Sequence, residues 1–363
     1  MAFPTGWTKK HKISIDYTKV SGSANLTNFP VLLTAVNFLT DCFDYSDNGG
    51  GDLRFSSDSA GTTQLPCEVV KWDNGVTNTA EVWVKLSSIS YTANTEFYVW
   101  YNNSGQTQPA HTDTYGTHNV WNSNYKGVWH LENNSYTDST ASGYDLTATN
   151  TPAQVAGKFG GGVEFDTANN EKIGILNASC ANLNPKSTNG ATASAWVKAN
   201  TSDTYGYVLS KNNSSANAAN IGIRENAGTW DGINYNTGAG AVLSGHSAQN
   251  NVWVRLDVVA IYNTSINLYV DKGIHTAAAG TNTATDDGDF FIGSCGSWTH
   301  ANSYFAGVID EVQWYDGVKT VDWITTEYNN QDSPSTFSTP SAISGDVEGL
   351  NIRIGERKGV EIN

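Results

Sequence analysis

The residues best suited to chemistry in this chain are its carboxylates, and two of them could in principle cleave a glycosidic bond. Such cleavage needs a pair of carboxylates about 5 to 10 Å apart across a cleft, one of them protonating the leaving oxygen. The nearest arrangement is Glu164-Phe165-Asp166, with a further acid at Glu171. On a strand, alternation sends Glu164 and Asp166 to one face and Val163 and Phe165 to the other. This is the pattern of an amphipathic strand, and Thr167-Ala168-Asn169-Asn170 reads as a turn before Glu171. The acids are therefore read as a solvated face. The chain has no Gly-x-Ser-x-Gly elbow, which argues against a serine hydrolase. Its histidines, His11, His111, His118, His130, His246, His275 and His300, are scattered, with none paired at metal-ligand spacing. His130, beside Trp129, reads as a packed, hydrogen-bonded histidine at a core edge. The expectation is a protein that is not an enzyme.

Binding is the other chemistry available. A sugar site needs aromatic rings in exposed loops with amides and carboxylates beside them. The candidates are Tyr205 and Tyr207, Trp230 with Asp231, Tyr235 between Asn234 and Asn236, and Trp298 with His300 and Asn302. Trp129, Trp196 and Trp253 lie on alternating strands and read as core. Asp286-Asp287-Gly288-Asp289 is acidic but lacks calcium-loop spacing, and reads as a solvated turn.

The elements that must position these residues are strands. Period-two alternation marks Lys12–Tyr17, Glu81–Leu86 and Phe97–Tyr101, with turn-rich segments such as Ser46–Gly51 between them. It resumes at Gly127–Leu131, Val163–Asp166, Ala193–Lys198, Val252–Val258 and Ile266–Asp271. Val308, Ile309, Val312 and Trp314 form a closing strand interrupted by Asp310-Glu311. In this second half only Thr320–Asn329 has helical spacing, with Thr320 as its N-cap. The expected fold is all-β: two β-sandwich jelly rolls in tandem, residues 1–108 and 120–333. A polar linker, 109–119, joins them, and an extended tail, 334–363, follows.

The first half resembles a domain of unknown function common in bacterial, archaeal and phage surface proteins. The matching residues are Gly6-Trp7, Asn28–Leu33, Gly51–Phe55, Leu65–Val69, Ala80–Lys85 and Phe97–Asn103. The second half resembles the laminin-G-like, concanavalin-A-like jelly roll. Its motifs are Gly127–Leu131 followed by Asp138-Ser139, Gly157–Gly160, Ala195–Lys198, Trp253–Arg255, Leu268–Lys272 and Ile309–Val312. Many such jelly rolls hold one calcium ion between an early acidic loop and the closing strand. The resemblance implies Asp138, Ser139, Gly143 and Asp310 as that site, the alternative being that both carboxylates cap turns.

Composition sets the remaining bounds. The formal charge of -15 over 363 residues argues against a nucleic-acid partner, which requires clustered Lys and Arg. No apolar run is long enough to span a bilayer, and the first residues carry no secretory h-region. Cys42 with Cys67 and Cys180 with Cys295 could each pair within one domain; four buried thiols is the other reading. The tail contains one alternating piece, Leu350–Ile354, suited to adding a strand to another chain. These features together point to a surface adhesion protein that binds glycan or another surface ligand, outside the cell or on a phage virion. The rivals are a secreted filament-forming protein and a glycan-cleaving enzyme.

Overall fold

The computed structural model describes residues 3–180, 183, 190–201, 205–213, 218–236, 239–261, 264–276, 288–295 and 303–343. Within them the chain builds four sheets stacked as two sandwiches. The first sandwich pairs a five-stranded sheet, ordered Ser338–Ser341, Lys9–Ile15, Thr95–Tyr101, Arg54–Ser56, Gln64–Leu65, with a three-stranded sheet, ordered Leu26–Thr34, Thr79–Ile89, Cys67–Asp73. Alternation explains the pairing. Ile13, Ile15, Phe97 and Val99 from one sheet meet Phe29, Val31, Leu33, Val82 and Val84 from the other in one buried core.

The second sandwich faces an eight-stranded sheet against a seven-stranded one. Ala191, Ala193, Ala195, Val197 and Ala199 point inward from strand Gly190–Ala199 and pack with Ile221, Ile223, Phe290 and Ile292 of the seven-stranded sheet. Strand Gly307–Asp316 sits in the middle of the eight-stranded sheet, pairing with Gly161–Phe165, Gly190–Ala199 and Tyr125–Trp129. Its register slips between Ser194 and Trp196 of its neighbour, and Glu311 takes a left-handed φ of 51°. This β-bulge adds one residue, so Ile309, Val312 and Trp314 all reach the core although their spacing departs from two. The acidic interruption in the sequence is the bulge.

The two sandwiches pack through residues that alternation sends away from their cores. Leu32 and Trp83 from the three-stranded sheet join Val128, Trp121, Tyr125, Phe159 and Trp196 in a separate buried cluster. Helix Val321–Asp332 is capped by the Thr320 hydroxyl, which accepts from the Trp323 N–H at 3.2 Å. Its Glu327, Asn330 and Gln331 are buried.

Two expectations change here. Residues 109–119 are not a free linker: Tyr115 accepts a backbone bond from Cys67, and His118 donates one to His111. Nor is the chain free from residue 334. A short helix, Pro334–Phe337, and strand Ser338–Ser341 return to the first sandwich, with Ile15 opposite Ser338 and Lys12 opposite Ser341. Asn37 holds this segment by donating to the carbonyls of Pro334 and Ser338. The edge of strand Lys9–Ile15 is thus covered by the chain's own continuation. Leu350–Ile354 lies outside the described residues. All four cysteines are free and buried, which is the second of the two readings left open by the sequence. Among the described residues no helix is long and apolar enough to cross a membrane.

Candidate functional site

A cleft of about 720 Å³ lies at the edge of the seven-stranded sheet where Thr147–Thr149 and Lys172–Ile175 pair. Alternation puts Ile173 into the core and turns Lys172 and Gly174 outward. Gly174 lies opposite Phe291, and a Cβ there would collide with the Phe291 ring. The glycine therefore lets the ring lie across the neighbouring strand as the floor of the cleft. Lys172 Nζ stands 4.6 Å from that ring's centre. Asp145, Thr147, Thr149, Ser179 and Asp289 supply the polar rim. Each of these two carboxylates is fixed by a backbone donor: Asp145 accepts from the N–H of Asp138 at 2.8 Å, and Asp289 from that of Asn177 at 2.9 Å. A flat apolar floor with hydroxyls and carboxylates around it can bind a polar ring compound.

A second cluster lies between the sandwiches. His130 follows strand Tyr125–Trp129, where the backbone turns left-handed at Leu131 (φ 58°). His130 Nδ1 is 2.7 Å from Glu311 Oε1 and 3.3 Å from Glu81 Oε1, while Nε2 is 3.3 Å from Glu68 Oε2. Burial disfavours the imidazolium, but Glu311 and Glu68 outweigh it and raise the His130 pKa well above its ordinary value. Burial, and then the charge of Glu81, push Glu311 up to about 8 despite the opposing pull of His130. Burial also acts to raise Glu81, but its hydrogen bond to His130 wins and holds it below the usual range.

Asp138 and Asp310, the two carboxylates of the expected calcium site, each accept from several backbone donors. Asp138 accepts from the N–H groups of Val128, Thr140 and Tyr144 and from the Thr140 hydroxyl. Asp310 accepts from the N–H groups of Lys158, Phe159 and Glu311. Both carboxylates are thus met mainly by backbone donors, the capping arrangement that the sequence offered as the alternative. Ser139 donates to Glu68 at 2.6 Å, and Gly143 lines the outer cleft.

The expected sugar-binding aromatics divide. Trp230 is buried in the sandwich core beside Phe305, because its strand turns it inward. Asp231 is buried in an ion pair with Arg224 at 3.1 Å. Tyr205 is 38% exposed and stacks on the same guanidinium, 4.7 Å from its ring centre, and the Tyr207 hydroxyl lies 3.5 Å from Arg224. Tyr205 and Asp231 therefore meet at Arg224, without Trp230. Tyr235 lies on strand Thr229–Asn236 opposite Gly240. Trp298, His300 and Asn302 lie outside the described residues. Sequence reading missed Lys172 and Phe291, although Lys-Ile-Gly-Ile at 172–175 carried a half-buried strand's alternation. It also missed the carboxylates around His130, which converge from strands far apart in the chain.

The chain is two stacked β-sandwiches, the second with an outer cleft on its sheet. Residues 175–325 match the model of the concanavalin A-like lectin/glucanases superfamily, and residues 49–125 match that of a domain of unknown function, DUF2341. No curated protein matches the chain. Among solved structures, it is similar to domain 4 of AbnA, an extracellular arabinanase from Geobacillus stearothermophilus solved with arabinotriose. The identity is 18%, covering 56% of this chain and 98% of that one, with a TM-score of 0.40. The binding domain of Paraclostridial Mosquitocidal Protein 1 is 11% identical over 56% of this chain and 52% of its own, with a TM-score of 0.46. The binding domain of Botulinum neurotoxin DC in complex with SialylT is 12% identical over 58% and 52%, with a TM-score of 0.44. This chain spans about half of each toxin structure.

Proposed function

We propose that the second sandwich binds carbohydrate without cleaving it, and that the chain acts as a surface adhesion or structural protein. The observation that carries this reading is the cleft over Phe291. Its exposed rim of hydroxyls and carboxylates surrounds an apolar ring, the combination that grips the polar edge and apolar face of a sugar. The superfamily match over residues 175–325 supports the same class of ligand. Asp145 and Asp289 are tied to backbone N–H groups, which favours a structural over an acid–base role for them.

A glycan array probed with the full chain tests this. Phe291→Ala and Lys172→Ala should each weaken the strongest signals by about tenfold or more, the loss expected from removing a stacked ring or its partner. Unchanged signals in both variants would move the site elsewhere, and no glycan bound at all would end the reading. Release of shorter oligosaccharides from a bound glycan would favour the glycan-cleaving alternative.

The proposed setting is a virion or extracellular surface, supported by the acidic charge of -15 and a composition rich in Trp and Tyr. Immunogold imaging of particles and cells would place it. Labelling confined to the cytosol would exclude that setting.

A further inference from the structure

We propose that Glu81, His130 and Glu311 form a binding site for one first-row divalent cation, Zn²⁺ or Mn²⁺, that ties the two sandwiches together. The donors come from three separate places: strand Thr79–Ile89 of the first sandwich, and the end of strand Tyr125–Trp129 and the bulge of strand Gly307–Asp316 in the second. Their donor atoms all lie within 4.8 Å of one another. Each of the three side chains is more than nine-tenths buried, and Glu81 Oε2 and Glu311 Oε2 have no hydrogen-bond partner. An unpaired buried carboxylate oxygen is costly, and two in one cluster call for a cation.

The surrounding charge points the same way. Glu68, Glu81, Glu311 and Asp310 crowd the buried centre, and Glu132 lies beside it. Lys71 is engaged with Glu132 at 3.0 Å. Donors around a zinc-sized ion stand roughly 3 to 3.5 Å apart, and the separations of 2.7 and 3.3 Å at His130 Nδ1 approach this spacing.

The second layer is also in place. Glu68 is pinned by Trp121 Nε1 at 2.8 Å and Ser139 Oγ at 2.6 Å, and it faces His130 Nε2. Glu68 Oε2 stands 3.3 Å from the far nitrogen and orients the ring from outside the site, and a cation at Nδ1 displaces the proton that His130 shares with Glu311. A cleft of about 380 Å³ lined by Glu68, His111, His130, Glu132 and Ser139 gives an ion a route in. An imidazole among carboxylates selects transition ions over calcium, which prefers six to eight oxygens.

The full chain, stripped with chelator and dialysed, should take up one equivalent of Zn²⁺ or Mn²⁺ by calorimetry and melt at a higher temperature with it. Ca²⁺ should do neither. Co²⁺ should give a visible absorption band that Zn²⁺ abolishes. Glu311→Gln should weaken binding at least tenfold, and Glu68→Gln about tenfold through loss of the outer carboxylate that orients His130, the range seen for outer-shell changes. His111→Ala, which alters only the cleft wall, should leave affinity unchanged. Absence of binding by either ion overturns the proposal and leaves the carboxylates sharing protons instead. Wild-type affinity in both Glu311→Gln and Glu68→Gln, or loss only in His111→Ala, overturns it as well.

Discussion

Asn330, in the closing helix of the second sandwich, pairs with the backbone of Leu32 in the first. Its Oδ1 accepts the Leu32 N–H at 2.8 Å, and its Nδ2 donates to the Leu32 carbonyl at 2.9 Å. Strand Leu26–Thr34 is the edge of its sheet, so the amide stands where a neighbouring strand would. Asn330→Ala leaves two buried backbone groups unpaired, and we expect it to destabilise the protein by about 2 to 4 kcal/mol. Urea denaturation measures this. A loss within experimental error would show that water replaces the amide.

The same helix turn carries a buried charge network. Glu327 accepts from Lys319 Nζ at 2.9 and 3.0 Å, from Arg255 Nη2 at 3.1 Å and from the Tyr125 hydroxyl at 3.1 Å. Arg255 also holds Asp257 at 3.0 Å. Burial acts to raise the Glu327 pKa, but Lys319 and Arg255 hold it below the usual range. Removing one member strands the rest, so Glu327→Gln should cost about 3 kcal/mol or more. Lys319→Met combined with Glu327→Leu should recover much of that, read as a positive coupling in a double-mutant cycle.

His11 should make stability depend on pH. It is buried edge-on to Phe38 and Tyr101. Burial lowers its pKa from 6.5 to about 4, against a weaker opposing pull from Asp41. Between those values the unfolded chain binds a proton that the folded chain refuses. The contribution is therefore complete above pH 6.5 and lost as pH falls to 4, about 3 kcal/mol in all. His11→Phe should flatten that segment of the urea-midpoint profile. An identical slope in wild type and variant would assign the acid sensitivity to other groups.

The thiols should be silent in the native protein. Burial pushes Cys67 up to about 12 and Cys295 up to about 11, so neither presents a thiolate at neutral pH. A thiol reagent should find four reactive groups in denaturant and almost none in the folded chain, and reductant should not shift the melting temperature. A mass decrease of two protons per pair in the untreated protein would instead restore the disulfide reading.

The sequence by itself determined the all-β class, many of the strands and the capped closing helix. Each rests on local periodicity: Val82 and Val84 against Trp83, Ala195 and Val197 against Trp196, and Thr320 ahead of a helical repeat. Periodicity separates two faces but does not say what covers the second. Leu32 and Trp83 fall on the face away from their sandwich's core, and Trp196, read as core, lies on such a face too; all three are buried together where the sandwiches stack. Trp230 misled as well, since polar neighbours in the chain do not reveal which way its strand turns it. Asp138 and Asp310 were legible as carboxylates in turns, whereas their filling by backbone N–H groups depends on loops folding back from elsewhere. The meeting of Glu81, His130 and Glu311 was legible only in three dimensions. It needs a bulge to turn Glu311 outward and a domain interface to bring Glu81 across, and both are products of packing between residues as many as 230 positions apart (311 less 81).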